Sequence, residues 1–222
     1  MKLIEKIILS GEIEIITGLH IGGSSTTMNI GETDLNVIKS PINGEPIIPG
    51  SSLKGKLRSL LAKINGYSSI KEEEDDDKDD TLCSIFGSSK QDTVTRLIVR
   101  DAYLVNADEL KSWEMENTYT EVKWENTVNR IKGSAEHPRQ LERVPKGAKF
   151  HYEMILDGYD SDYNDDKKND KKNDNKYLKT IKEAMKFLED DYLGGSGTRG
   201  YGKIKFHENK DEHKNVGSYV SC

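Results

Sequence analysis

Three stretches of this 222-residue chain combine residue types and spacings suited to holding an anion. The first is Leu193 to Phe206, LGGSGTRGYGKIKF, where five glycines fall within nine residues and Arg199 sits among them. Glycine lets a backbone approach a ligand closely and leaves amides to bind it, and Arg199 favours phosphate, although a tight turn between packed elements would use the same glycines. The second is Gly50-Ser51-Ser52-Leu53-Lys54-Gly55-Lys56-Leu57-Arg58. It sets small residues at a helix start, where amides and the helix dipole attract negative charge, with Lys54 and Arg58 one turn apart behind them. A solvated basic face on an amphipathic helix reads the same way. The third, Asn126 to Val144, carries Arg130, Lys132, Arg139 and Arg143 around a turn-prone centre at Gly133-Ser134-Ala135; the alternative is an ordinary charged surface hairpin. The chemistry common to all three is binding of a phosphodiester backbone.

The elements that must position these residues follow from periodicity. Lys2 to Thr17 is β-prone and reads as a first strand broken at Gly11, leading into the turn Gly18-Leu19-His20-Ile21-Gly22-Gly23 and a polar stretch with Glu32 and Asp34. Ile42 to Pro49 is short and extended, and Ser51 to Ile64 is a helix with Leu53, Leu57, Leu60, Leu61 and Ile64 on one face and serines at its start. Leu82 to Gly87 is an apolar anchor. Arg96 to Leu104 is a buried strand ending near Asp101, and Asn117 to Val128 is a strand that feeds a hairpin over 126–144, turning near Gly133 to Pro138. Phe150 to Leu156 is a strand. Tyr177 to Tyr192 is a helix stopped at Gly194, and the glycine loop and a last strand follow. The order strand, helix, strand, strand, helix, strand is that of an α+β, ferredoxin-like or RNA-recognition-motif fold with large loop insertions. The strands lack the aromatic pattern with which such sheets read bases, so RNA contacts are expected from loops and helix ends.

Composition limits the rest. One domain over 1–222 suits the length, and the 34% hydrophobic and 32% charged content points to polar insertions diluting an ordinary core. Residues 71–80 hold eight acids and two lysines, a net −6 equal to that of the whole chain. Residues 157–176 hold seven aspartates and five lysines. Both read as solvated loops, so the acidity does not exclude a nucleic-acid partner. Two cysteines exclude a disulfide framework or a cysteine zinc site. With no signal-peptide pattern and no membrane-length apolar run, a cytoplasmic location is expected.

Five motifs in order carry a resemblance: Gly18 to Gly23, Pro49 to Arg58, Phe86-Gly87-Ser88-Ser89, Pro138-Arg139-Gln140-Leu141-Glu142-Arg143, and Asp191 to Gly202. Together they resemble the backbone subunits of type III-A CRISPR Csm effector complexes, members of the RAMP superfamily. The two charged insertions and a polar tail over 207–222 have no counterpart in it. The resemblance implies a RAMP core in which copies of the chain stack along a guide RNA beside other Csm subunits. Each copy pushes a protruding thumb hairpin, here 126–144 with a small tip at Ser134 and Ala135, between bases. It also implies cleavage of the paired target RNA beside each thumb, using a divalent metal, Mg2+ or Mn2+, and an aspartate that corresponds to Asp34.

On that resemblance Asp34 is the catalytic and metal-binding residue, with Glu32 two positions earlier as a departure from the family pattern. One carboxylate suffices for magnesium that keeps its waters and takes substrate phosphate oxygens, and RNA supplies its own 2′-hydroxyl nucleophile. The RNA-binding set is His20, Ser51, Ser52, Lys54, Arg58, Arg130, Arg139, Gly195, Gly197 and Arg199, with His20 contacting the guide backbone or packing under the glycine loop. Two other readings stand beside this one: a non-catalytic RNA scaffold, and a metal-free, guide-processing RAMP nuclease. The five histidines form no motif with a tyrosine or lysine that would support the second.

Overall fold

The computed structural model describes residues 1–23, 35–66, 80–88, 94–163 and 175–220. Strand β1, Leu3–Ile15, runs unbroken through Gly11 and buries Ile7, Leu9, Ile13 and Ile15 on one face with the period of two expected of a half-buried strand. It lies between β7, Lys149–Tyr159, and β8, Ile204–Asn215, antiparallel to both. The sheet continues beyond β7 to β4, Ala102–Leu104, and β2, Ile47–Ile48, while β3, Leu97–Val99, also pairs with β7. Phe150, Tyr152, Met154 and Leu156 of β7 complete the apolar face.

Helices α1, Gly50–Ile64, and α4, Lys176–Asp190, supply the apolar side chains that join this face in one core. Leu53, Leu57, Leu60 and Leu61 of α1 pack with Ile181, Ala184, Met185 and Leu188 of α4 at helical spacing. Lys56 ties the two helices by pairing with Asp191 at 3.3 Å and lying 3.6 Å from the ring centre of Tyr192. The short helices α2, Asp80–Phe86, α3, Ala107–Lys111, and α5, Gly217–Val220, complete the chain, α2 forming where the sequence suggested only an anchor.

Four expectations change. The strand over 96–104 is two, because the chain turns at Arg100-Asp101 to meet α1: the Gly50 amide donates to Asp101 Oδ1 at 2.7 Å, and a Cβ on Gly50 would lie 2.2 Å from the Val99 carbonyl oxygen. Asp101, not a serine, thus caps α1, whose flanking Pro49 makes no side-chain cap. The stretch set apart as a tail from His207 continues β8 to Asn215, held by β1. In the charged stretch 157–176, Asp157 to Tyr159 end β7, and buried Asp162 takes Arg96 Nε at 2.9 Å; 164–174, like 71–79, lie outside the described residues.

The fourth concerns the hairpin, which comprises β5, Glu121–Val128, and β6, Ala135–Arg143, as a separate two-stranded sheet. Its turn falls at 129–134, earlier than expected. Asn129 Oδ1 accepts the amides of Ile131 and Lys132 at 3.0 and 3.1 Å, and Gly133 adopts φ +68°. His137, at φ +53°, and Pro138 lie within β6 at the point where its register with β5 shifts, so this pair marks a bulge and not the turn.

Candidate functional site

The hairpin base and the glycine loop meet around Glu125. Its Oε2 accepts Arg139 Nη2 at 2.9 Å and Arg199 Nη1 at 3.1 Å, and its Oε1 accepts the Tyr201 hydroxyl at 2.8 Å. Burial opposes ionisation of Glu125, but the Tyr201 and Arg139 hydrogen bonds and the two arginine charges outweigh it and hold its pKa below the usual carboxylate value. The Tyr201 phenol is pushed up to about 12, first by burial and then by Glu125. Lys123 Nζ lies 4.5 Å and the Arg143 guanidinium 5.0 Å from the Tyr201 ring centre, and Arg143 Nε donates to Glu121 at 2.6 Å. Four cations against two carboxylates leave this surface net +2. Such a group of guanidiniums suits phosphate recognition.

A second centre lies beneath it. Glu142 is buried, yet it accepts the Val37 amide at 2.9 Å, Lys39 Nζ at 2.5 Å, the Thr120 hydroxyl at 2.5 Å and Asn117 Nδ2 at 3.3 Å. Burial raises its pKa, and the Lys39, Thr120 and Val37 hydrogen bonds more than reverse this, so the group stays ionised. These bonds draw residues 35–39 onto the hairpin base, where the Glu142 amide donates to the Leu35 carbonyl at 3.0 Å. The Gly23 amide bonds Asn36 at 3.1 Å, and Gly22 bridges Val37. Gly23 and Leu35, the residues flanking 24–34, are therefore both fixed next to the hairpin. Glu32 and Asp34 lie outside the described residues.

The remaining expected residues separate. His20 packs under the glycine loop: its Nδ1 is 2.7 Å from the Glu142 carbonyl oxygen, and its own carbonyl accepts the Gly195 amide at 2.8 Å. That amide is therefore committed within the protein. Gly197 is required for packing, since a Cβ there would lie 2.0 Å from the Tyr192 ring. The turn reading thus accounts for most of this loop, and Arg199 is its exposed cation. Ser51 is exposed at the α1 start, and the Ser52 amide is bonded to the Pro49 carbonyl at 3.0 Å. Lys54 donates to the Leu97 carbonyl at 2.9 Å, its pKa lowered first by burial and then by Arg58. Lys54 and Arg199 accordingly belong to different contact sets, while Arg139 and Arg199 come together. Arg130 stands exposed at the hairpin turn beside Ile131, which is 97% exposed.

Sequence reasoning missed Glu125, Glu142, Tyr201 and Ile131 as site residues. Their partners lie up to 122 positions away in the chain, although Glu142 and Tyr201 stand inside the quoted motifs. Among the described residues no three His, Cys, Asp or Glu gather as a metal site, and no helix is long and apolar enough to cross a membrane.

The RAMP superfamily model matches residues 12–205. A protein of Streptococcus thermophilus named CRISPR system Cms endoribonuclease Csm3 is 48% identical over 92% of this chain and 89% of its own length. The chain belongs to the Csm3 proteins of the RAMP superfamily. A Csm3 of Methanocaldococcus jannaschii is 43% identical over 92% of this chain and 80% of that protein. Among solved structures, the crystal structure of a Csm3-Csm4 subcomplex of the type III-A CRISPR-Cas interference complex superposes with a TM-score of 0.58. It is 33% identical and covers 100% of this chain and 86% of that one. A type III-B Cmr-beta complex bound to cognate target RNA shares the fold at TM-score 0.64 and 17% identity, over 95% of this chain and 61% of that one. The superfamily match takes in the end of β1, both sheet-covering helices, the hairpin and the glycine loop.

Proposed function

We propose that this chain is the guide-RNA-binding backbone subunit of a type III-A CRISPR effector complex and cleaves complementary target RNA at regular intervals. Similarity to proteins named as Csm3 endoribonucleases supports the activity, and similarity to a Csm3-Csm4 subcomplex supports assembly with other Csm subunits. Such work on guide and target RNA belongs in the cytoplasm. The β3/β4-β7-β1-β8 strand order, with α1 after β1 and α4 after β7, supports a ferredoxin-like core. The hairpin Glu121 to Arg143 serves as the thumb, with Ile131 rather than Ser134 or Ala135 as its wedge, since Ala135 is already paired with Val128 in the ladder.

One observation carries the catalytic reading: Leu35, next to Asp34, is bonded to Glu142 at the base of this hairpin. A carboxylate next to Leu35 would face RNA that passes the base of the hairpin. Arg139 and Arg199 would hold the phosphate backbone while the 2′-hydroxyl attacks in line. With no metal cluster among the described residues, a divalent ion would rest on Asp34, water and phosphate oxygens, and when bound would stabilise the charge developing on the phosphate. The test is to load the purified complex with guide and map cuts in complementary RNA. Evenly spaced cuts that vanish in EDTA and return with Mg2+ are expected; cutting that persists in EDTA would contradict the metal, and none in Mg2+ would leave a scaffold.

A further inference from the structure

The two faces of the hairpin carry different chemistry. In the β5–β6 register Glu121, Lys123 and Glu125 stand opposite Arg143, Leu141 and Arg139, and this face makes the contacts with Arg199 and Tyr201 of the glycine loop. The alternate residues face the other way: Val122 is opposite Glu142, and Trp124 is opposite Gln140. Glu142 is covered by its bonds to Val37, Lys39, Asn117 and Thr120, so Trp124 is the first β5 side chain on this face beyond that cover. It is 61% exposed, and among the described residues its indole N–H has no hydrogen-bond partner. Trp113, the only other tryptophan of the chain, instead packs on Gly147, where a Cβ would lie 2.9 Å from its ring. An indole left bare on a separate two-stranded sheet adds little to folding, and its ring is open to a ligand. Leu35 bridges Leu141, the residue next to Gln140. The chain thus re-enters the described fold two strand spacings, about 10 Å, from Trp124.

We infer that Trp124 is a positioning residue that stacks on a base of the bound RNA at the root of the hairpin and so sets the adjoining phosphodiester beside Leu35. The inference rests on the RNA-binding reading above and extends it: guanidiniums on one face of the hairpin hold phosphate, and the indole on the other holds a base. Stacking tolerates any base, because each has a π-face, and RNA selected only by complementarity to a guide requires that tolerance.

Tryptophan emission of the full-length protein, followed as guide RNA and then complementary RNA are added in EDTA, tests the contact directly. Quenching is expected in the parent and should be lost in Trp124→Phe, which keeps Trp113. Quenching by guide alone would support the stack with a guide base, and quenching only after the complementary strand is added would support it with a target base. In the guide-loaded complex with Mg2+, Trp124→Ala should cut target RNA about tenfold more slowly in a single turnover, and Trp124→Phe, which still offers a ring, should recover at least about half of the parent rate. The quench is read without cleavage, so a parent complex that quenches and does not cut would support the stack while contradicting the nuclease reading. No quenching at saturating RNA, equal quenching in Trp124→Phe, cutting by Trp124→Ala at the parent rate, or a Trp124→Phe variant as slow as Trp124→Ala would overturn the inference.

Discussion

Glu142 shows how one buried charge organises a surface. It sits between Leu141 and Val144, both buried, so burial alone would favour its neutral form; four donors from two distant segments, Val37 and Lys39 in one and Asn117 and Thr120 in the other, keep it ionised. Glu142→Ala should therefore cost about 2 kcal/mol or more, since Thr120 and the Val37 amide would lose their acceptor, and chemical denaturation would measure it. The pH dependence follows from the lowered pKa. The charge contributes stability above the ordinary glutamate value of about 4.3, and that contribution is lost as pH falls through the folded-state pKa. Melting temperature should thus fall more steeply on acidification in the parent than in Glu142→Gln, where this titration is absent. Parallel curves would show that the charge is not what holds residues 35–39. The motif that contains Glu142 was readable in the sequence. Its role was not, because Lys39, Val37 and Thr120 are neighbours only after folding.

Helices and the long strands were readable because apolar spacing and core face coincide: Leu53, Leu57 and Leu60, or Ile181, Ala184 and Leu188, fall where a 3.6-residue period puts them. Departures arose where a side chain from elsewhere set the backbone, as Asp101 does at the α1 start, or where local turn chemistry outranked composition, as Asn129 does in the hairpin. The glycine loop looked like an anion cradle, yet several of its glycines permit close packing. Gly197→Ala, driven into the Tyr192 ring, should cost about 2–3 kcal/mol. Gly200→Ala, at φ +87° with open space around it, should cost about 1 kcal/mol of backbone strain. Equal losses would mean that the loop does not press on Tyr192. For the hairpin, Ile131→Asp should leave thermal stability within about 0.5 kcal/mol, because the side chain touches little of the core. It should blur the spacing of cuts in target RNA, and unchanged spacing would place the wedge elsewhere.

Over the molecule as a whole, charge is distributed unevenly, and this was readable from the sequence alone: 71–80 account for the net −6, leaving the rest balanced. What the sequence could not give was which cations share a surface. Folding brings Arg139 and Arg199 onto Glu125, and turns Lys54 to Leu97 in β3. Replacing Arg139 and Arg199 with alanine should flatten the salt dependence of guide binding by up to about 0.7 per lost phosphate contact, whereas Lys54→Ala should leave it nearly unchanged. The reverse order would restore the α1 start as the principal phosphate seat. On the proposed reading, cleavage rests on Asp34, next to the anchored Leu35. The decisive measurement is the single-turnover rate of target RNA cleavage in Mg2+ by complexes carrying Asp34→Ala, with guide and target binding measured on the same samples. A loss of at least about a hundredfold in rate with binding unchanged is expected, as for a group that acts mainly in the transition state; cleavage at the parent rate would contradict it.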